Sequence, residues 1–150
     1  MTRRTLVLVA AVLALRGAAE AEWVGGVQAE VPLNGNGQSW FVRATVNGTV
    51  SGLFLLDTGA SLCVLTPSTA RRVGLPPGGP HIDLRTANGV VRAPLVQLRS
   101  VEVGGNRARD VGAIVHTAVA PPLDGIIGLS YLNRFTSYSI DPRRRVLRLR

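Results

Sequence analysis

The sequence contains no lysine: all 17 of its basic residues are arginine. It has one cysteine, Cys63, so no disulfide can form within the chain. Cys63 stands among Leu62, Val64 and Leu65 and reads as a buried thiol behaving as a small hydrophobe. Aromatic residues make up only 5% of the chain, which leaves the core to Val, Leu, Ile and Ala. His81 and His116 are isolated and no His-Glu-x-x-His pair occurs, so no metal and no cofactor are expected. Ser61 and Ser130 lack a Gly-x-Ser-x-Gly elbow, which argues against a serine hydrolase. Beyond residue 15 no apolar run is long enough to span a bilayer.

What is present favours strands. Hydrophobic residues are 46% of a chain of 150, enough for one domain, and 17 Gly with 9 Pro supply many turns. Residues 1–21 read as a signal peptide. Arg3 and Arg4 precede the apolar run Leu6–Leu15, and Ala19-Glu20-Ala21 offers the small-x-small cleavage pattern. Ten apolar residues reach about 15 Å as a helix, half of a bilayer core, so cleavage is expected over a retained anchor. Export follows, with no stable membrane span afterwards. The net charge is +8, but the arginines are scattered apart from Arg143–Arg145, and no aromatic ladder accompanies them. They read as a solvated surface, and no nucleic-acid partner is expected.

Residues 22–37 hold Val24, Val27, Val31 and Leu33 among Gly and Asn, and predict a leading strand and a loop. From Gln38 to Arg150 the pattern is that of one mostly β domain. Trp40, Val42, Ala44 and Val46 alternate with Phe41, Arg43 and Thr45, the period of a half-buried strand. Asn47-Gly48 predicts a two-residue hairpin turn into Val50–Leu56. Thr66 is placed to cap, and Pro67 to open, a short helix through Val73 closed by Gly74. Ile82–Thr86 and Val90–Arg92 flank a hairpin tip at Ala87-Asn88-Gly89. Leu95–Val103 and Arg109–Val115 flank Gly104-Gly105-Asn106, and Leu129–Phe135 predicts one or two helical turns. Tyr138 and Ile140, an Asp141-Pro142 turn, then Leu147 and Leu149 predict a closing hairpin.

Asp57-Thr58-Gly59 ends an apolar strand, which sets a carboxylate on a tight turn. Gly59 lets the backbone approach the carboxylate, and Thr58 offers a hydroxyl for bracing. By itself such a triplet can be an ordinary Asp-capped turn. Its setting is more specific: Phe54-Leu55-Leu56-Asp57-Thr58-Gly59-Ala60-Ser61, then Thr86-Ala87-Asn88-Gly89, then Ile126-Ile127-Gly128 running on through Leu129-Ser130-Tyr131-Leu132-Asn133-Arg134-Phe135. In that order they resemble the retropepsin-like aspartic proteases, especially exported bacterial members with a single motif, over roughly Gln38 to Arg150.

The resemblance implies an all-β acid-protease fold: a closed barrel-like half with a flap hairpin and one or two short helices, one domain per chain. Asp57 is the implied catalytic residue, supported by Thr58, Gly59 and Ala60. Ala87, Asn88 and Gly89 form the implied flap, and Ile126, Ile127 and Gly128 the strand threaded beneath the site. Aspartic proteases use two carboxylates about 3 Å apart that share one proton. This chain has one Asp-Thr-Gly. Asp83, Asp110, Asp124 and Asp141 do not repeat it, so a homodimer acting on a peptide or protein substrate is expected. A serine in place of Ala60 would favour the charged form of the carboxylates; alanine cannot, so the activity optimum is expected between mild acid and neutrality. Two rival readings stand beside this one: a non-catalytic peptide-binding or scaffold protein on the same fold, and a basic protein binding anionic polymers.

Overall fold

The computed structural model describes residues 29–150. The expected signal peptide, and Val24 and Val27 of the expected leading strand, lie outside those residues. The elements run β1 (Ala29–Pro32), β2 (Asn34–Gly35), β3 (Trp40–Val46), β4 (Val50–Leu56), β5 (Cys63–Leu65) and α1 (Pro67–Val73). They continue with β6 (His81–Thr86), β7 (Gly89–Val103), β8 (Asn106–Val115), β9 (Gly125–Ile127), α2 (Leu129–Leu132), β10 (Tyr138–Asp141) and β11 (Val146–Leu149). The large sheet has the order β2-β3-β4-β9-β5-β8-β7-β6, and a further β3–β7 pairing closes six of its strands into a barrel.

Local chemistry explains the main turns. Asn47 and Gly48 take positive φ values of 52° and 70°, the paired left-handed geometry of a two-residue turn matched to strand twist. Asn47 also accepts from the Ser100 N–H through its side chain and donates its own N–H to the Ser100 carbonyl. The β3–β4 turn is thereby fastened to β7. Thr66 Oγ1 accepts from the Thr69 N–H at 3.1 Å, and Gly74 ends α1 in the left-handed region at φ 79°.

Alternation then fills the barrel. Val42, Ala44 and Val46 from β3, Phe54 and Leu56 from β4, and Leu98, Val101 and Val103 from β7 all point inward and are buried. Tyr131 and Leu132 of α2 cover one end of this core. The Tyr131 phenol is buried, donates to the Asn106 carbonyl at 2.7 Å, and is pushed above its ordinary pKa by desolvation.

Two strands predicted on either side of Pro94 form a single strand, β7. Pro94 lies opposite His81, the first residue of β6, where a missing N–H interrupts little, and the Leu95 N–H donates to the Pro80 carbonyl. The second difference concerns the arginines near the C-terminus. Strands β1, β11 and β10 form a separate three-stranded sheet with Glu30 opposite Arg148. Arg144 reaches Glu30 through two bonds of 2.7 and 2.9 Å, and Arg148 joins Glu30 to Asp141. Arg144 is therefore paired rather than merely solvated, because folding brings up a carboxylate 114 residues away. Hydrogen bonds from Arg148 and then Arg144 hold the Glu30 carboxyl below its usual range. The Arg144 N–H and the nearby arginine charges do the same for Asp141.

Candidate active site

Strand β4 delivers Asp57 by simple alternation. Phe54 and Leu56 face the barrel interior, so Leu55 and Asp57 face the other way. The turn that follows is closed by two bonds: the Gly59 N–H donates to Asp57 Oδ1 at 2.8 Å, and the Ala60 N–H donates to the Asp57 carbonyl. A Cβ on residue 59 would stand 3.1 Å from Asp57 Oδ1, so glycine leaves the carboxylate its room. Thr58 and Gly59 are exposed, whereas Asp57 and Ala60 are half-buried.

Beneath this turn runs β9, parallel to β4 and antiparallel to β5. Ile127 accepts the Asp57 N–H at 3.0 Å, and Leu129 and Ser130 donate their N–H groups to the carbonyls of Ala60 and Ser61. The passage is tight at both ends. A Cβ on Gly125 would fall 2.0 Å from the Val64 carbonyl oxygen, and one on Gly128 would fall 2.5 Å from that of Leu62. Ile126, Ile127 and Gly128 are thus brought directly against the Asp57 loop. Ser130 Oγ donates to the Gly112 carbonyl and accepts from the Cys63 N–H, so this serine is occupied with bracing. Cys63 is buried, desolvation pushes its thiol above the ordinary range, and its sulfur accepts the Gly128 N–H.

Residues 87–89 sit at the far end of the β6–β7 hairpin. Thr86 pairs with Gly89, and Gly89 takes φ 112°. The Thr86 hydroxyl donates to the Gly89 carbonyl at 2.9 Å and accepts from the Asn88 N–H. Ala87, Asn88 and Gly89 are all exposed.

A second apolar cluster, separate from the barrel core, links hairpin and turn. Val64, Ile114 and Ile126 form its floor, with Leu55, Ala60 and Leu62 at its Asp57 end. Ile82, Leu84 and Val91 reach it from the hairpin, on the face opposite Asp83 and Arg92. Most of these residues are only half-buried.

Asp124 has a different task. Its Oδ2 accepts the Leu53 N–H at 2.9 Å, and its Oδ1 accepts from Arg72 at 2.8 Å and from the Thr69 hydroxyl. It locks α1 and β4 to the entrance of β9, a role for which the sequence carried no local signal. Among the described residues no group of three or more His, Cys, Asp or Glu could hold a metal, and no helix is long and apolar enough to cross a membrane. His81 sets its ring Nδ1 3.1 Å from the Gly79 carbonyl, and His116 donates its N–H to Leu65.

A six-stranded barrel carrying one Asp-Thr-Gly turn over a threaded strand has the architecture of an acid protease. The family described as aspartyl protease matches residues 42–131. A crystal structure of a retropepsin-like aspartic protease from Rickettsia conorii superposes with a TM-score of 0.59 at 26% identity, covering 81% of this chain and 88% of that one. A Sinorhizobium protein described as "Uncharacterized protein in cobV 5'region" is 36% identical over 121 residues, 79% of this chain and 48% of its own length. The chain spans about half the length of that curated relative. The protein belongs to the aspartyl protease family and has the retropepsin-like fold.

Proposed function

We propose that the protein is a homodimeric aspartic endopeptidase of a bacterial periplasm or envelope, with Asp57 from each of two copies sharing one site. The observation that carries this reading is the Asp57 turn: a carboxylate half-exposed on the outer face, fixed by the Gly59 N–H, over β9. One chain holds one such turn. Two copies related by a two-fold axis would bring their carboxylates within about 3 Å, where only one can ionise and the pair holds a single proton. The charged member takes a proton from a water as that water attacks the peptide carbonyl. The protonated member donates toward the carbonyl oxygen. Thr58, exposed beside Asp57, is the residue assigned to bracing the partner's loop. The β6–β7 hairpin, with its tip at Ala87, Asn88 and Gly89, is assigned to excluding solvent over the bound chain.

The half-buried second cluster supports a substrate with aliphatic side chains flanking the cleaved bond. Next to Asp57 it offers Leu55, Ala60, Leu62 and Ile126.

The test is cleavage of a peptide library by the protein and by Asp57→Ala from about pH 3.5 to about 7.5, with both sized by light scattering. Cleavage by the parent alone, from proteins that are both dimers, is the expected result. A folded dimer that binds peptides but cleaves none would replace this reading with peptide binding.

A further inference from the structure

A groove of about 460 Å³ lies away from Asp57, between α1 and the root of the β6–β7 hairpin. Arg71 contributes to one wall, Pro76, Pro77 and Gly78 to the second, and Pro94 and Val96 of β7 to the third. We propose that this groove binds a free aliphatic carboxylate, a fatty acid of medium length, with its tail along the prolines and its head on Arg71.

Three observations support that occupant. The volume lies within the range of small-molecule pockets. The walls include Pro67, Pro76, Pro77 and Pro94, none of which has an N–H to offer. A hydrocarbon tail needs no hydrogen-bond partner along these walls. The single charge on the walls is Arg71. Its neighbour Arg72 is engaged with Asp124, but among the described residues Arg71 takes part in no ion pair, so its guanidinium is available to a carboxylate.

The groove is also placed to matter for the hairpin. Gly78 and Gly79, in the loop entering β6, have φ values of 91° and 100°, conformations that favour glycine. The tip is fastened by Thr86. A ligand joining α1 to Pro77 and Gly78 restrains the hairpin at its root.

Calorimetric titration of the full protein with decanoate and with decanol, both below aggregation, tests the site. One decanoate per chain is expected. Arg71→Gln should weaken decanoate roughly tenfold and leave decanol unchanged. Val96→Phe, which fills the groove, should abolish both while the circular dichroism stays that of the parent. Absence of saturable decanoate binding, an equal loss of both ligands in Arg71→Gln, or a folded Val96→Phe that still binds would each overturn the proposal. Its effect on the hairpin rests on the endopeptidase reading: bound decanoate should lower turnover at saturating peptide. A parent that binds decanoate but cleaves nothing would sink the peptidase reading and leave the groove standing. A cleaving parent indifferent to bound decanoate would refute the restraint.

Discussion

The two apolar clusters of this molecule take opposite faces of β4, β5, β8 and β9, yet they differ in closure. Inside the barrel, Val42, Val46, Leu98, Val101 and Val103 have no solvent exposure. Outside it, Leu55, Leu62, Ile82, Leu84 and Val91 remain half-open. The first cluster is complete within one chain and accounts for folding. The second stays partly open to solvent, with Asp57 at its edge. Removing groups from the two should therefore damage different properties.

The largest effect expected is on turnover. Asp57→Asn keeps the shape of the side chain but removes the ionisable group, and should lower kcat by about 10⁴-fold or more with thermal stability near that of the parent. Next comes Gly128→Val. Its side chain would be driven into the Leu62 and Ala60 carbonyls, and loss of the folded state by circular dichroism is the expected outcome. Third, Phe54→Ala in the barrel should cost about 3–5 kcal/mol in urea denaturation, whereas Leu84→Ala in the second cluster should cost about 1 kcal/mol or less and instead raise KM. Equal losses of stability from these two would erase the distinction between the clusters. Fourth, Ala60→Ser should move the pH optimum of cleavage toward acid without moving the melting temperature.

The smallest effect concerns the terminal sheet. Glu30 and Asp141 titrate below their ordinary range when folded. Their contribution is present above the unfolded carboxylate value, near pH 4, and is lost as the pH falls through the lower folded values. Glu30→Gln should therefore lower stability slightly at neutral pH, and the difference from the parent should vanish as the pH falls through the folded value, which flattens the acid side of the stability profile. Added salt should shrink even that difference, because these charges are exposed.

Much of this organisation was legible in the amino-acid order wherever one short stretch carries its own geometry. Asn47-Gly48, the Thr66–Gly74 helix signals and the Asp57-Thr58-Gly59 turn are of that kind. What was not legible depends on distant partners. Pro94 reads as a strand breaker until His81 is set opposite it at the end of the ladder. Asp124 has an unremarkable local context, and its purpose appears only when Leu53, Thr69 and Arg72 converge on it. The pairing of Arg144 with Glu30 is likewise invisible in either local stretch. Asp57 was found because a motif marks it. Ser130 lies in the stretch that carries the resemblance, but its bonds to Cys63 and Gly112 cannot be read from that stretch.

The three-stranded sheet has a mechanical consequence. Ala29 pairs with Leu149, so the first described strand and the last leave the sheet side by side and in opposite senses. Tension applied between these two ends would load the β1–β11 ladder one rung at a time, as in opening a zipper, and never all rungs together. In single-molecule pulling, β1 should peel away at low force before the closed barrel yields. A single high-force rupture would mean that the load passes through the barrel first.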